Sequence, residues 1–390
     1  MKRIKFLGIA VLMTAIIFGF AACSTDDDPA DPVLIGIDVT SKPNKTVYVV
    51  NEELELDGLE VTASYDNGSG TIITDYNADV SSYDKTKTGS HKITVEYNNK
   101  TAVFFVVVAI KEGDIFLMDI NGGTFTMGND EGAPREKPAH QVTVSGFSMG
   151  VYAITQKQYK TVMGDSPSAF SGDDRPVERV SWYKAIVFCN TLSSNEGLTP
   201  VYSLNSDTNP SNWGTAPASS TGSLWNNIAF NQAANGYRLP TSAEWEYACR
   251  AGTTSVWYIG DDTFTTNDAW ILKTNTQGTT NVGSFPPNNW GLYDMIGNVG
   301  QWCWDWINED EFGGSENTYY RTNKDNEPVD NPLGTAPHAT KLRRTWRGAA
   351  YDCDPDSSTR FRRLQSAYHD RSDPAATTGS DLGFRIVRNN

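Results

Sequence analysis

The sequence predicts two folded parts of different class: an all-β sandwich near the amino terminus, and a larger domain that combines a few helices and short strands with much irregular chain. Three observations support this. Residues from about 33 to 110 form short alternating segments with turn signals and no helical period. Three capped helix starts follow between 155 and 250. Beyond Cys249 the chain is dense in Gly, Asn, Asp and Trp, without helical periodicity.

Length and charge restrict the class of protein. The chain has 390 residues, more than one compact domain usually needs, and 47 acidic against 32 basic residues give a net charge of −15. Without a long basic run, the chain has little electrostatic attraction for nucleic acid or for an anionic bilayer. The four histidines include no close pair, which argues against a zinc or iron centre built from histidines.

Residues 1–22 are predicted to be a lipoprotein signal peptide. Three basic residues within the first five precede an apolar run, Phe6–Phe20, that ends in Ala21-Ala22-Cys23. The run is short for a spanning helix. Its Phe-Ala-Ala-Cys end resembles a bacterial lipobox, which would make Cys23 the lipid attachment site. The alternative is an ordinary secretory signal with an incidental cysteine.

An acidic linker, residues 23–32, follows the predicted lipid site. Its Ser-Thr-Asp-Asp-Asp stretch is similar to the segment after the lipid cysteine in surface-exposed bacterial lipoproteins. Loss of residues 1–22 leaves 29 basic and 47 acidic residues, or −18. We therefore expect the membrane contact to run through the lipid on Cys23. The predicted location is the outer membrane, facing outward, with the periplasmic face as the alternative.

Residues 33–110 are predicted to form the sandwich. Asp66-Asn67-Gly68 and Asn98-Asn99 suit hairpin turns between its strands. The predicted strands are Ile35–Val39, Val47–Val50, Leu54–Leu56, Leu59–Tyr65, Lys92–Tyr97 and Ala102–Val108. The order Lys42-Pro43, Tyr48, Leu59–Tyr65, Thr88-Gly89 and Thr94–Tyr97 resembles the bacterial Ig-like domains of group 3. That resemblance implies a spacer or adhesive module, which here would lift the second domain off the membrane.

The second domain, residues 115–390, is predicted to begin with a β-hairpin and to contain three helices. Asn121–Gly128 has two glycines where a turn would lie; the alternative, a phosphate loop, lacks the Gly-Lys-Ser/Thr that should follow. Thr155 with Gln158 and Thr241 with Glu244 have capping-box spacing. Ser181 can cap a helix over Trp182–Leu192, with Gly197 just beyond its end.

Four cysteines remain after the lipid site: Cys189, Cys249, Cys303 and Cys353. In an exported protein they could form two disulfide bridges. Three connectivities satisfy that count, and the sequence does not choose among them.

Motifs across residues 115–390 occur in a recognisable order. They are Met127-Gly128, Pro176-Val177 with Val180–Trp182, Phe188–Asn190, Tyr237–Thr241, Glu244–Tyr247 with Arg250–Gly252, Trp290–Asn298, Trp346–Gly348 and Gly383–Arg385. This order resembles the formylglycine-generating enzyme, or sulfatase-modifying factor, family. The resemblance implies an α+β C-type-lectin-like fold with much irregular structure, but a fold does not by itself determine the chemistry.

The resemblance implies copper chemistry that this sequence does not complete. Active members oxidise a sulfatase cysteine to formylglycine with molecular oxygen, using copper(I) on two thiolates. Cys353 matches the first thiolate, but Ser358 stands at the second, and a hydroxyl is a hard, poor ligand for copper(I). Ala350 and Gly300 also replace a serine and a tryptophan of the active members. We therefore expect no copper site, with Cys353 a catalytic remnant or simply a small buried residue.

The same resemblance implies calcium. Asp294, Gly297, Val299 and Gln301 match one family site, and Asp268 falls at the other. Gln301 replaces a glutamate, so the first site would keep an oxygen ligand but lose a charge. In the alternative interpretation, Asp294 and Asn298 close turns through bonds from side chain to backbone.

Aromatic and arginine side chains near the carboxyl end indicate a binding groove, because such residues dominate binding surfaces. The predicted groove residues are Trp302, Tyr351, Ser358, Arg360 and Arg362. The alternative places most of the tryptophans, including Trp304, Trp306 and Trp346, in the core.

Two functions remain open from the sequence. The favoured one is a cell-surface lipoprotein with a noncatalytic domain that binds a protein or a glycan, or acts in an envelope complex. The other is a copper-dependent oxidase that matures sulfatases. The second thiolate discriminates between them, and it is absent.

Overall fold

A computed structural model describes residues 3–5, 31–258, 278–307, 328–334, 341–352, 362–376, 379 and 381–389. The chain divides into two compact units, Met1–Val108 and Ala109–Asn390. No helix in the described ranges is long and apolar enough to cross a membrane.

The first unit is a β-sandwich, as predicted. Its strands are β1 (Arg3–Lys5), β2 (Leu34–Ser41), β3 (Val47–Val49), β4 (Glu60–Tyr65), β5 (Gly70–Ile73), β6 (Asn77–Asp79), β7 (Gly89–Tyr97) and β8 (Lys100–Glu112), which contains the boundary between the units. One sheet has the order β2-β4-β5, and the other β1-β6-β7-β8, with β3 also paired to β8. Apolar side chains from both sheets, such as Val61 and Ile93, share one buried cluster.

Local turn chemistry determines the hairpins of this unit. Asn98 and Asn99 both adopt positive φ, 45° and 64°, between β7 and β8, as a tight hairpin requires. The predicted strand Leu54–Leu56 is wrong: this segment is not in a sheet. The hydroxyl of Tyr48 instead donates to the carbonyl of Glu55 at 2.7 Å and accepts from its N–H at 3.3 Å.

The second unit combines short sheets with helices. Its strands are β9 (Ile115–Ile120), β10 (Gly123–Met127), β11 (His140–Val144), β12 (Phe147–Gly150), β13 (Tyr202–Ser203), β14 (Ala229–Phe230), β15 (Gly300–Ile307), β16 (Val329–Asp330), β17 (Arg343–Arg347), β18 (His369–Ser372), β19 (Leu382–Gly383) and β20 (Val387–Asn389). Its α-helices are α1 (Gln156–Met163), α2 (Trp182–Asn195) and α3 (Ser242–Arg250). Short 3₁₀ helices span Pro134–Glu136, Pro210–Asn212, Leu224–Asn227 and Arg362–Leu364.

The predicted hairpin over residues 121–128 is wrong. β9 pairs with β12, whereas β10 pairs with β11, so the glycines connect two different sheets. The link is tight: a Cβ on Gly122 would lie 2.7 Å from the carbonyl oxygen of Val144. A four-stranded sheet has the order β18-β17-β15-β19, and its strand β15 contains Gly300 and Gln301, two of the positions implied by the family resemblance.

All three predicted helix starts are confirmed. Thr155 and Thr241 form complete capping boxes, and the Ser181 side chain accepts from the N–H of Lys184. Helix α2 runs to Asn195, three residues beyond its predicted end, with Gly197 at positive φ after it. Its apolar face is buried in the main core of the unit.

Candidate functional site

Gly300 and its neighbours form the described part of the predicted reaction centre. Gly300 opens β15 and pairs with Leu382 of β19. A Cβ built on Gly300 would lie 3.0 Å from Leu382 Cδ2 and 3.1 Å from Trp346 Cε3. Those two side chains crowd the space beside Gly300, so a larger residue there would have to displace them.

Tyr351 and Arg362 are the groove residues that the structure leaves accessible. The Tyr351 ring is half-buried and packs edge-on against Phe170, with centroids 5.1 Å apart. Its backbone N–H donates to the carbonyl of Asn298 at 3.0 Å. Arg362 is exposed at the start of a 3₁₀ helix. Both therefore remain candidates for contact with a ligand.

Trp302 is not a groove residue, and that prediction is wrong. Its side chain is fully buried, and its indole N–H donates to the carbonyl of Val180 at 2.8 Å. β15 contributes every one of its residues to the interior. A tryptophan with a satisfied N–H and no exposed surface acts as core.

An arginine organises the other tryptophans of β15. The guanidinium carbon of Arg344 lies 3.7 Å from the ring centroid of Trp182, 3.5 Å from that of Trp306 and 4.6 Å from that of Trp304. This buried stack of cation and rings joins α2 to the sheet. The alternative interpretation, that most of these tryptophans are core, is confirmed for Trp304 and Trp306.

Buried ion pairs tie α3 to β17 and to the loop after β10. Glu246 Oε2 accepts from Arg347 Nη1 at 2.9 Å, and Glu246 Oε1 accepts from Arg250 Nη2 at 2.8 Å. The same Oε1 accepts from the backbone N–H of Gly128 at 2.9 Å. Burial alone would raise the pKa of Glu246, but Arg250 and Arg347 outweigh it and lower that pKa.

Glu136 faces this network across a cavity of about 20 Å³, room for one water molecule. Its side chain is 3% exposed, and neither carboxylate oxygen makes a hydrogen bond of standard geometry with the described residues. Burial raises the pKa of Glu136 to about 7, with Glu246 adding to the rise. The Ala133 backbone amide, Arg347 and Arg135 oppose it.

Residues 116–390 match the family model of the sulfatase-modifying factor enzyme 1-like domain, and residues 41–108 match that of the bacterial Ig-like domain of group 3. The chain belongs to the sulfatase-modifying factor family.

Relatives of this sulfatase-modifying factor protein carry different names. "Chaperone protein LppX" of Paenibacillus barcinonensis is 38% identical over 222 residues, which are 52% of this chain and 75% of that protein. The formylglycine-generating enzyme of Mycobacterium tuberculosis is 28% identical over 311 residues, 70% and 97% of the two chains. The solved structure of variable protein 1 of Treponema denticola superposes with a TM-score of 0.59 at 27% identity, over 77% of this chain and 99% of that one. The predicted C-type-lectin-like fold is thereby confirmed.

The copper positions Cys353 and Ser358 lie outside the described residues, as do the predicted groove residue Arg360, the lipid site Cys23 and the calcium position Asp268. The described cysteines, Cys189, Cys249 and Cys303, are buried free thiols, so two disulfide bridges do not form. Burial raises the pKa of each thiol, that of Cys249 to about 12. Among the described residues, no group of three His, Cys, Asp or Glu side chains is placed to hold a metal.

Gln301 does not fit the calcium site of the sulfatase-modifying factor family. Its Oε1 accepts from Trp245 Nε1 at 2.8 Å and from Arg385 Nε at 2.7 Å, and its Nε2 donates to the carbonyl of Asp294 at 2.8 Å. A buried guanidinium therefore contacts the oxygen that would bind the ion, and like charges repel.

Asp294 of that site and its neighbour Asn298 have protein partners as well. Asp294 Oδ2 accepts from the N–H of Gly283 at 2.8 Å, and the Asn298 amide bonds both backbone groups of Thr280 at 3.1 Å. These bonds run from side chain to backbone, as in the alternative interpretation, but they join segments 11 and 18 residues apart and do not close local turns. Calcium on Asp294, Gly297 and Val299 stays a prediction, which calorimetric titration of Ca²⁺ would test.

Sequence reasoning missed the residues that define the polar interior. Arg347 and Glu246 stand inside quoted family motifs, yet nothing local assigns them to each other across 101 residues. Glu136 stands between two basic residues, Arg135 and Lys137, and has the local pattern of an exposed acid. The one available signal was the position of Arg347 in a buried strand, since a buried charge needs a partner.

Proposed function

We propose that this protein is an envelope lipoprotein whose sulfatase-modifying factor domain binds a protein or a glycan and does not oxidise cysteine. The observation that carries the proposal is the crowded space at Gly300. Leu382 and Trp346 lie 3.0 and 3.1 Å from where a Cβ at this position would stand, the position at which active members place a tryptophan. A reaction centre that has lost this side chain, together with a serine replaced by the buried Ala350, has a different surface from that of an oxidase.

The ligand set in the sequence supports the same conclusion. Copper(I) prefers soft sulfur ligands, and Ser358 offers a hard oxygen in place of the second thiolate. Cys353 alone cannot complete a two-sulfur site.

The relatives support both candidates to different degrees. The Paenibacillus relative, named a chaperone, matches at 38% identity, and a chaperone acts by binding other proteins. The Mycobacterium enzyme, at 28% identity, keeps the oxidase as the second candidate. A protein ligand is therefore favoured for the accessible side chains Tyr351 and Arg362.

We expect the purified mature chain, loaded with copper(I) under reducing conditions, to leave a cysteine-containing sulfatase peptide unchanged. Mass spectrometry of the peptide measures the aldehyde, and the Mycobacterium tuberculosis enzyme serves as the positive control. Aldehyde that forms with the wild type and disappears with Cys353→Ala would make the domain an oxidase and end the proposal.

The lipid anchor has its own test. We expect Cys23→Ser to move the protein from the membrane fraction to the soluble fraction of detergent-free lysates, because the lipid on Cys23 would be its membrane contact. Ser24→Ala, which keeps the cysteine, is the matched control and should stay with the membranes. A Cys23→Ser protein that still fractionates with the outer membrane would contradict the lipoprotein assignment.

A further inference from the structure

A cleft of about 530 Å³ lies between β10, the carboxyl end of α3 and the turn that contains Trp290. This volume falls in the range of small-ligand sites. None of its lining residues belongs to the predicted reaction centre or to the groove residues Tyr351 and Arg362.

Three half-buried aromatic rings line the cleft. The rings of Phe125 and Tyr247 are 5.2 Å apart between centroids, and those of Tyr247 and Trp290 are 4.9 Å apart. The Trp290 turn is held in place because Asn288 Nδ2 donates to the carbonyl of Ala248 at 2.7 Å, at the end of α3. The platform is therefore rigid before any ligand arrives, which lowers the entropic cost of binding.

Neutral polar groups stand beside the rings. Gln141 Nε2 donates to Thr126 Oγ1 at 2.7 Å across strands β11 and β10. That bond leaves the Gln141 carbonyl oxygen as an acceptor and the Thr126 hydroxyl as a donor toward the cleft. The indole N–H of Trp290 has no protein acceptor in the part of the chain that the structure describes.

The cleft offers no uncompensated charge. Its one ionised side chain, Arg250, is paired with Glu246 and also donates to the carbonyls of Gly128 and Ser255 at 3.1 Å. A phosphate, sulfate or carboxylate would find no free cation here, so the lining favours a neutral ligand.

The residues on both sides of edge strand β10 are bonded to helix α3. At its start the Tyr247 hydroxyl donates to the carbonyl of Asn121 at 3.1 Å. After its end the N–H of Gly128 donates to Glu246, and the carbonyl of Gly128 accepts from Arg250. An extended peptide needs a run of unpaired backbone groups, and these bonds limit any such run to the five residues of β10.

We infer that this cleft binds a neutral oligosaccharide. The C–H groups of a sugar face carry partial positive charge and stack on the negative faces of aromatic rings, while its hydroxyls exchange hydrogen bonds with Gln141, Thr126 and the Trp290 N–H. This assignment deepens the proposed binding function by placing a ligand site and naming its ligand class. It does not depend on the state of the copper positions.

The test uses the mature chain from Ser24 onward and an array of possible ligands. The array contains four series of neutral oligosaccharides, based on cellobiose, maltose, xylobiose and N,N′-diacetylchitobiose. It also contains sulfated oligosaccharides, uronic acid oligosaccharides and a set of peptides. Calorimetry then quantifies the hits. We expect at least one neutral series to bind, with affinity about tenfold weaker in Trp290→Ala and roughly fivefold weaker in Gln141→Ala. Gln141 is exposed, so its variant keeps the fold, and Phe170→Ala, a half-buried aromatic elsewhere in the domain, should bind like the wild type.

Three outcomes would overturn the inference: no neutral oligosaccharide binds, binding persists unchanged in both Trp290→Ala and Gln141→Ala, or acidic sugars or peptides bind instead with dependence on Trp290. None of these bears on the copper assay. Aldehyde formation would refute the noncatalytic proposal and leave the oligosaccharide result standing.

Discussion

Replacing Glu246 by glutamine is expected to destabilise the second unit by about 3–5 kcal/mol, the usual cost of removing one partner from a buried ion pair. The carboxylate is fully buried between Arg347 and Arg250 and also accepts from the N–H of Gly128. Glutamine keeps the shape but leaves two buried guanidinium groups without their charge partner. Urea unfolding followed by tryptophan fluorescence measures the loss.

The pH dependence of the stability that Glu246 contributes follows from the direction in which its pKa is shifted. Because the pKa of Glu246 is lowered in the folded protein, its stabilisation is present above the unfolded pKa and is lost as pH falls through the folded one. The exposed Glu131→Gln, in the same unit, is the matched control and should change stability by less than about 0.5 kcal/mol. A Glu246→Gln protein as stable as that control would refute the role assigned to the network.

Glu136→Gln is expected to do the opposite and stabilise the protein above neutral pH. A raised folded pKa of about 7 means that the folded state holds a proton that the unfolded state has released. Stability should therefore fall as pH rises from about 4.5 to about 7, by about 3 kcal/mol in all. Glutamine is neutral at every pH, so the variant should match the wild type at pH 5 and exceed it at pH 8.

The groups around Glu136 support assigning the loss of stability between about pH 4.5 and pH 7 to this carboxyl group. Glu246 and Arg347 stay ionised beside it, and burial holds the pKa of His369 well below its usual range, so that imidazole stays neutral. Lys137, Arg135 and His140 line the same cavity. His140→Gln is the control, since it removes another titratable group and should leave the window in place. Equal wild-type stability at pH 5 and pH 8 would contradict the prediction.

The helix starts show what could be predicted from local sequence. The Thr155 and Thr241 capping boxes each join residues three apart, so both partners of each hydrogen bond lie within one helical turn of the sequence. The tight turn at Asn98-Asn99 is equally local, because these residue types tolerate positive φ. The predicted hairpin over residues 121–128 failed because a glycine pair marks a turn without showing which strands pair on either side of it.

The two folded parts, the family and the serine at position 358 follow from residue identity and order alone. Which side chains are buried, and what they contact, depends on the packing of the folded chain. Gln301, matched to a calcium ligand, is shared by Trp245 and Arg385, 56 and 84 residues away. Trp302, predicted in the groove, lies in the core, and Glu136, which no sequence pattern singled out, lies in the interior, for the same physical reason. Burial and hydrogen-bond partners arise from packing between distant segments, and no local pattern records which segments will meet.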